Sequence, residues 1–454
     1  MRPDDWVDDF LLAGDGAQVC LRLGRPVVRA ALREAVDRRT DALRAQGIDK
    51  GGSVILRLPP SLAFVANLLA GWRLGAQVAL LDHRLTEYEA QRACERLQPQ
   101  LIVAPAAPVT GALRAFHEVT EVLHRYPGEP AASGHVLIQL SSGSTGPSKV
   151  IGRSAASLVA EVERYKRIEG VPQPGGRIVL LASMVHVLGL VGGLLYGLHV
   201  GAELALPERT TVDAILAAAA AGEAPTTLLG VPFHIELLAS VTQPPTLPGL
   251  TGMTTGGELV RADVWRAFTD RYRVRLGNMY GMTEVGVIAT DLFGEHRPAL
   301  APAPGIEVRA DSGELLVSAP ASPYVGPVEP GRWADGWLRS KDAGSVDAQT
   351  GLMTVHGRLD SQISVGGLKV DLTEVEHALA GLPGVAAAVV LAHSGTIEAY
   401  AVLDDPAARS TVESSLAERV AAYKRPRTIH VVEQLPRTVT GKVVRDPAAL
   451  RSAV

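Results

Sequence analysis

Short apolar runs alternate along this chain with longer segments whose apolar residues recur every three or four positions, and that alternation limits the folds open to it. The runs at 53–58, 77–81 and 101–104 read as buried strands, with helices at 61–74 and 86–97 between them. A helix at 27–46 precedes them, carrying Val28, Leu32, Val36 and Leu43 on one face and arginines on the other. Gly75 follows 61–74 where a left-handed residue ends a helix well. The pattern resumes with strands at 177–181, 203–206, 226–230 and 275–279 and helices at 189–198, 211–220, 232–239 and 261–270. Strand–helix–strand units place their strands in parallel through right-handed crossovers, so the fold class is α/β with mostly parallel sheets. Ligands in such folds sit beyond the carboxyl ends of the strands.

Past 291 the texture changes. Prolines and glycines multiply, and runs such as Glu314-Leu315-Leu316-Val317 predict antiparallel strands in a small β-barrel. A second boundary falls at Gly357-Arg358-Leu359-Asp360. Beyond it a hairpin is expected around Gly366-Gly367, then a helix from Leu372 capped by Asp371, with Glu374 completing a capping-box-like arrangement. Strands at 385–392, 398–403 and 428–432 and a helix at 410–422 complete a small α+β module. The expected organisation is a large domain, 1–356, with its barrel from about 291, and a small C-terminal domain, 357–454.

With 454 residues, 47% hydrophobic and 20% charged, the chain has core enough for more than one soluble domain. A net charge of −4 gives no general attraction to nucleic acid or an anionic membrane. The longest apolar stretch, 185–200, is too short and glycine-broken to span a bilayer. Cys20 and Cys94 have neither disulfide nor metal-site spacing, and Met1-Arg2-Pro3-Asp4-Asp5 begins no signal pattern, so a cytoplasmic location is expected.

Five clusters carry candidate chemistry. Ser141-Ser142-Gly143-Ser144-Thr145-Gly146-Pro147-Ser148-Lys149 follows the apolar run 136–140 and precedes a helix starting near Ser154. Glycines let backbone N–H groups approach an anion, hydroxyls add donors and the lysine adds charge, so the loop suits nucleotide phosphates. An ordinary Ser/Gly linker is the alternative, and the Gly-Lys-Ser/Thr ending of a Walker A loop is missing. Tyr280-Gly281-Met282-Thr283-Glu284 directly follows an expected strand; it offers an aromatic for a base, a hydroxyl for a phosphate and a carboxylate for Mg²⁺. Thr283-Glu284 would serve equally as a helix start. Asp342 could hold a ribose or simply make a turn, Arg358 with Asp360 could be a nucleotide contact and hinge or a surface pair, and Lys442 a catalytic cation or a solvated lysine.

In order and separation these clusters resemble the adenylate-forming superfamily: acyl- and aryl-CoA synthetases, luciferase and the adenylation domains of peptide synthetases. The loop is similar to the family's Ser/Thr-Gly-Ser-Thr-Gly-x-Pro-Lys signature, 280–284 to Tyr-Gly-x-Thr-Glu, 357–360 to the hinge motif, and 436–442 to Pro-Arg-Thr-x-x-Gly-Lys. The resemblance implies that a carboxylic acid attacks the α-phosphate of ATP, with Mg²⁺, releasing pyrophosphate, and that a thiol then displaces AMP. The thiol belongs to CoA or to the phosphopantetheine of a separate acyl carrier protein. It implies that Ser141, Ser142, Gly143, Ser144, Thr145, Gly146 and Lys149 hold the β- and γ-phosphates, and that Gly256, Gly257 and Glu258 lie along the adenine. Tyr280 stacks on the base, with Asn278 near its edge and Met279, Gly281 and Met282 around it. Thr283 bonds the α-phosphate, Glu284 ligates Mg²⁺, Asp342 binds the ribose and Arg358 the ribose or phosphate. Lys442 bridges the attacking carboxylate and the phosphate, and a rotation at Asp360 exchanges it for the Gly366-Gly367 hairpin.

Two motifs depart from the family. Pro147-Ser148-Lys149-Val150 replaces Pro-Lys-Gly, and Ser340-Lys341-Asp342 replaces Thr-Gly-Asp, which puts the turn before Asp342 in doubt. The chain is short through its N-terminal region, and no carrier domain follows Lys442, so a free-standing enzyme is expected. The resemblance puts the acid among His186, Val187, Gly230, Gly256, Gly281 and Val287, with His186 counted in the catalytic set or else packed structurally. No carboxylate lies between Ser183 and Tyr196 to pair an amino acid's ammonium, whose burial unpaired would be costly. The glycine-rich apolar lining suits a flat aromatic acid such as benzoate or salicylate, and an acyl chain nearly as well. A non-catalytic nucleotide binder would have no use for Lys442, and a kinase would need a different phosphate loop.

Overall fold

The computed structural model describes residues 5–111, 114–141, 149–257, 260–359, 361–393, 395–436 and 445–452. Their contacts fall into two units.

The first comprises the described residues of Met1–His83, Gln98–Leu140 and Val150–Gly357. Its larger sheet has nine strands. Six lie parallel in the order Arg275–Met282, Leu250–Gly256, Thr226–Gly230, Arg177–Leu180, Glu203–Leu206 and Val19–Leu23. Antiparallel strands close both edges: Gly286–Asp291 with Ala301–Pro302 on one side, Arg25–Val28 on the other. Thr226–Gly230 and Arg177–Leu180 are buried at every position, as strands covered on both faces must be.

A six-stranded sheet runs Glu121–Arg125, Leu101–Pro105, Ser53–Leu56, Gln77–Leu80, Leu137–Ser141 and Lys149–Arg153. Its helix Leu62–Arg73 is buried from Ala63 to Trp72 and apolar there but for Asn67, whose amide donates to the Ala63 carbonyl at 2.9 Å. Ser61 caps it by accepting from the Phe64 N–H, and Gly75 takes φ +71° beyond its end. The strands expected as a barrel form a five-stranded sheet built on antiparallel pairs, with Glu314–Ser318 and Trp337–Val346 at its centre.

Three expectations need correction. The segment 27–46 begins as strand, Arg25–Val28, and the helix starts only at Arg29. Arg29 faces inward, donating to the Leu11 carbonyl at 2.9 Å and the Leu198 carbonyl at 3.0 Å. The helix at 189–198 is a π-helix, Leu188–Leu195, continued by the α-helix Tyr196–Val200. Over so short an apolar run, periodicity cannot separate the two. Leu250–Gly256, absent from the expected elements, is a strand inside the sheet, between Thr226–Gly230 and Arg275–Met282.

A buried ion pair ties the sheet's edge to a helix. Glu161 in Ala155–Lys166 is fully buried, its Oε2 2.8 Å from Arg153 Nη2 and its Oε1 accepting the Val287 N–H at 3.0 Å. Gly286 is required beside it, since it holds φ +89° and a Cβ there would lie 2.1 Å from the carboxylate.

The second unit takes in Arg84–Leu97 and the described residues from Arg358 onward. The hairpin Gln362–Val365/Leu368–Asp371 turns through Gly366 at φ +56° and Gly367 at φ +80°, a left-handed pair suited to glycine. A three-stranded sheet follows, Val385–His393, Thr396–Leu403 and Thr428–Val431. Asp371 caps Leu372–Ala380 by accepting the Thr373 N–H. The expected capping box is not completed, because Glu374 instead takes Lys424 Nζ at 2.9 Å, and Glu89 of the helix Glu87–Leu97 takes the same ammonium at 2.8 Å. Burial alone would lower that lysine's pKa, but the neighbouring carboxylates outweigh it and hold it well above the ordinary value.

Replacing Arg153 with Met leaves the Glu161 carboxylate buried without its counter-charge. The expected loss is about 3–5 kcal/mol of unfolding free energy, read by chemical denaturation.

Candidate active site

Four parallel strands deliver most of the expected residues that are described to one end of the nine-stranded sheet. Gly230 stands opposite Thr255, and Gly256 opposite Met279, so the carboxyl ends of Thr226–Gly230, Leu250–Gly256 and Arg275–Met282 lie side by side. His186 lies in the turn between Arg177–Leu180 and the π-helix, half-buried, its N–H bonded to the Ser183 carbonyl at 3.2 Å. Val187 leads into the π-helix. A Cβ on Gly256 would come 3.0 Å from the Met279 carbonyl oxygen and 3.3 Å from Leu188, whereas a Cβ on Gly257 (φ +101°) would meet open space. Val287 is in the core, fastened through its N–H to Glu161. Asn278 lines a small cavity with Trp265, Asp291 and Arg297.

Tyr280-Gly281-Met282-Thr283-Glu284 does not follow the strand, and it starts no helix. The strand runs through Met282, and the next residues turn back into Gly286–Asp291 as a hairpin. The Tyr280 hydroxyl donates to Asp342 Oδ2 at 2.5 Å, joining the expected base and ribose contacts across 62 positions. Asp342, 5% exposed, also donates its own N–H to Ser340 Oγ at 2.9 Å.

Glu284 is 9% exposed. Its Oε1 accepts the Tyr324 hydroxyl at 2.9 Å and lies 3.8 Å from Arg332 Nη2. Arg332 Nε donates to the Tyr324 oxygen at 3.0 Å, and its Nη2 to the Ser340 carbonyl at 3.5 Å. Burial first, then the Glu284 charge, push the Tyr324 phenol far above its ordinary pKa, so it stays a donor. One hydrogen-bonded chain therefore runs Tyr280, Asp342, Ser340, Arg332, Tyr324, Glu284. Sequence reasoning missed Tyr324 and Arg332, which belong to no local pattern. Gln139 was missed too, although a lone polar residue in the apolar run 136–140 is a visible signal. Its amide donates to the Val185 carbonyl at 2.6 Å, fastening Leu137–Ser141 to the turn that bears His186.

Lys341 answers the question raised by the altered ribose motif. It takes φ +60°, the left-handed conformation a glycine would adopt freely, with its N–H on Glu314 Oε1 at 2.9 Å. The motif forms no turn: Lys341 lies inside the strand Trp337–Val346, where the pairing with Glu314–Ser318 shifts register, at the cost of strain.

Ser142, Gly143, Ser144, Thr145, Gly146, Glu258, Asp360, Lys442 and the side chain of Ser141 lie outside the described residues. Lys149 opens the strand Lys149–Arg153 and Arg358 ends Met353–Arg358; both are grouped with the second unit. Among the described residues no three His, Cys, Asp or Glu side chains converge as a metal site. A single carboxylate nonetheless fits Mg²⁺, which takes one or two carboxylates and completes its shell with phosphate oxygens and water.

The AMP-binding enzyme model matches residues 27–317, and the AMP-binding enzyme C-terminal domain model matches 374–442. The chain belongs to the AMP-binding enzyme family. Among its relatives, the 3-hydroxybenzoate–CoA/4-hydroxybenzoate–CoA ligase of Thauera aromatica is 25% identical, over 97% of this chain and 95% of the relative. Benzoate–CoA ligase of the same organism is 29% identical, over 78% of this chain and 72% of its own length. The o-succinylbenzoate CoA synthetase of Bacillus subtilis shares the fold with a TM-score of 0.82 at 21% identity, covering 100% of this chain and 98% of that one. In this AMP-binding enzyme the first matched segment holds the glycine loop and Tyr280–Glu284, while Asp342 falls between the two segments. No helix among the described residues is long and apolar enough to cross a membrane.

Lys341→Gly should raise stability by about 1 kcal/mol, read by denaturant titration, because it removes a left-handed non-glycine residue. His234 carries a pH signature. Its Nδ1 accepts the Val231 N–H at 3.2 Å, and burial pushes its pKa from 6.5 down to about 4. The folded pKa lies below the unfolded one, so the stability this neutral ring contributes is whole above pH 6.5 and is lost as pH falls toward 4. Denaturation between pH 7 and 4.5 should show a shallower loss for His234→Gln than for the parent.

Proposed function

We propose that this AMP-binding enzyme joins an aromatic carboxylic acid of the benzoate or hydroxybenzoate class to AMP and passes the acyl group to the thiol of CoA. It is an AMP-forming acid–thiol ligase. The reading is supported by the Tyr280–Asp342 bond, which would keep a base-stacking ring and a ribose acceptor together. It is supported by the Thauera relatives named for benzoate and hydroxybenzoates, and by an apolar turn at 184–190 that carries no carboxylate for an amino acid's ammonium.

In the first step a carboxylate oxygen attacks the α-phosphorus of ATP and pyrophosphate leaves. In the second the CoA sulfur attacks the acyl carbon and AMP leaves. The hydroxyls, glycines and Lys149 of the loop 141–149 would hold the β- and γ-phosphates, and Gly256 and Gly257 would flank the adenine under Tyr280. Thr283 would bond the α-phosphate, Asp342 the ribose, and Arg358 the ribose or phosphate. Lys442 would join the two anions that must react, offsetting their repulsion. Asp360 would be the pivot of the 357–454 domain. Mg²⁺ held by Glu284 would supply further positive charge to the phosphates. His186 would face the acid. The cytoplasm supplies ATP and CoA.

The test is acid-dependent exchange of labelled pyrophosphate into ATP over a panel of benzoates, aliphatic acids and α-amino acids. Benzoates or hydroxybenzoates should exchange and amino acids should not, with AMP the nucleotide product once CoA is added. Lys442→Ala should slow exchange by about 10²–10³-fold. Exchange with an amino acid, release of ADP, or transfer to a carrier protein's pantetheine in place of CoA would overturn the corresponding part.

A further inference from the structure

We propose that Tyr324 and Arg332 are positioning residues that lock Glu284 in a one-oxygen presentation to the metal–nucleotide complex. This rests on the proposed function. The chemistry of the donors fixes the arrangement. An arginine Nε–H can only donate, and that of Arg332 donates to the Tyr324 oxygen. The phenol must therefore turn its own proton to Glu284 Oε1. That oxygen is committed to the protein, while Oε2 makes no hydrogen bond among the described residues.

Tyr324 is itself held from the backbone. It bridges Ile151, and its neighbours accept from Gly152 N–H at 2.8 Å through Pro323 and donate to the Val150 carbonyl at 2.9 Å through Val325. Its ring is buried with Ile151, Leu338 and Ala319, against Met282 and Val285 on either side of Thr283-Glu284. The strand it clasps, Lys149–Arg153, is the one that leaves the glycine loop. Arg332 adds a second tie, to the Ser340 carbonyl two residues before Asp342. A carboxylate needed only for packing would be satisfied at both oxygens or replaced by an apolar residue; here one oxygen is pinned and the buried charge is balanced from the same side.

The test compares the parent with Tyr324→Phe and Arg332→Lys by calorimetry, using two ligands. AMP without metal probes the Tyr280–Asp342 end, and α,β-methylene-ATP over a Mg²⁺ series probes Glu284. Both variants should bind AMP within about twofold of the parent and melt as cooperatively. The Mg²⁺ concentration for half-maximal binding of the analogue should rise about tenfold, the effect of losing one charge-assisted hydrogen bond that orients the ligand. Pyrophosphate exchange should recover at saturating Mg²⁺, showing a loss of affinity and not of turnover. An unchanged Mg²⁺ requirement in Tyr324→Phe, with normal exchange in the parent, overturns the inference and leaves the function standing. Equal losses of AMP and analogue binding overturn it as well, since they mark a merely structural role. A parent that neither exchanges pyrophosphate nor binds AMP overturns both readings.

Discussion

A carboxylate is tolerated inside a protein only where donors and a counter-charge come with it, and Glu284 has both. Tyr324 gives the hydrogen bond and Arg332 the positive charge. The consequence spreads beyond one side chain. Arg332 reaches the Ser340 carbonyl, Ser340 holds the Asp342 backbone, and Asp342 receives Tyr280. Three groups proposed to meet different parts of a nucleotide are thus members of one network. Its two ends are tied through Ser340, and Glu284 and Asp342 are each oriented by their own partners.

The scaffold around this network is stiff for an independent reason. Six parallel strands bring their carboxyl ends to one side of the sheet, and glycines allow the closest approaches there. Gly189 packs so near the preceding turn that a Cβ would fall 2.3 Å from the Ser183 carbonyl oxygen. Gly192 and Gly193 admit Tyr165 and Leu180 in the same way. The wider π turn fits among these contacts, and such turns recur at functional sites. Rigidity of this kind suits a reaction whose catalysis is chiefly placement of two anions.

Much of the fold was legible because local chemistry agreed with it. The strands at 203–206 and 226–230 and the helix at 232–239 have the expected ends, and Ser61, Asp371 and the Gly366-Gly367 pair act as cap and turn residues should. The errors arose where a distant partner overrode local preference. Arg25–Val28 became strand because Val19–Leu23 pairs with it, and Glu374 left its cap for Lys424. Leu250–Gly256 escaped notice because its threonines and glycines do not look apolar, yet neighbours on both sides supply its hydrogen bonds.

By itself the sequence determined the α/β class, the family, and the identity of Tyr280, Glu284, Asp342 and Lys442 as the residues to watch. These follow from periodicity and from motifs a few residues long, and both are properties of neighbours along the chain. Only the tertiary structure decided what Tyr280, Glu284 and Asp342 touch. Tyr324, Arg332 and Gln139 reach their partners across 40, 48 and 46 positions. Separations so large leave no local pattern, since they arise when packed sheets bring distant strand ends together and burial obliges each polar atom to find a partner there.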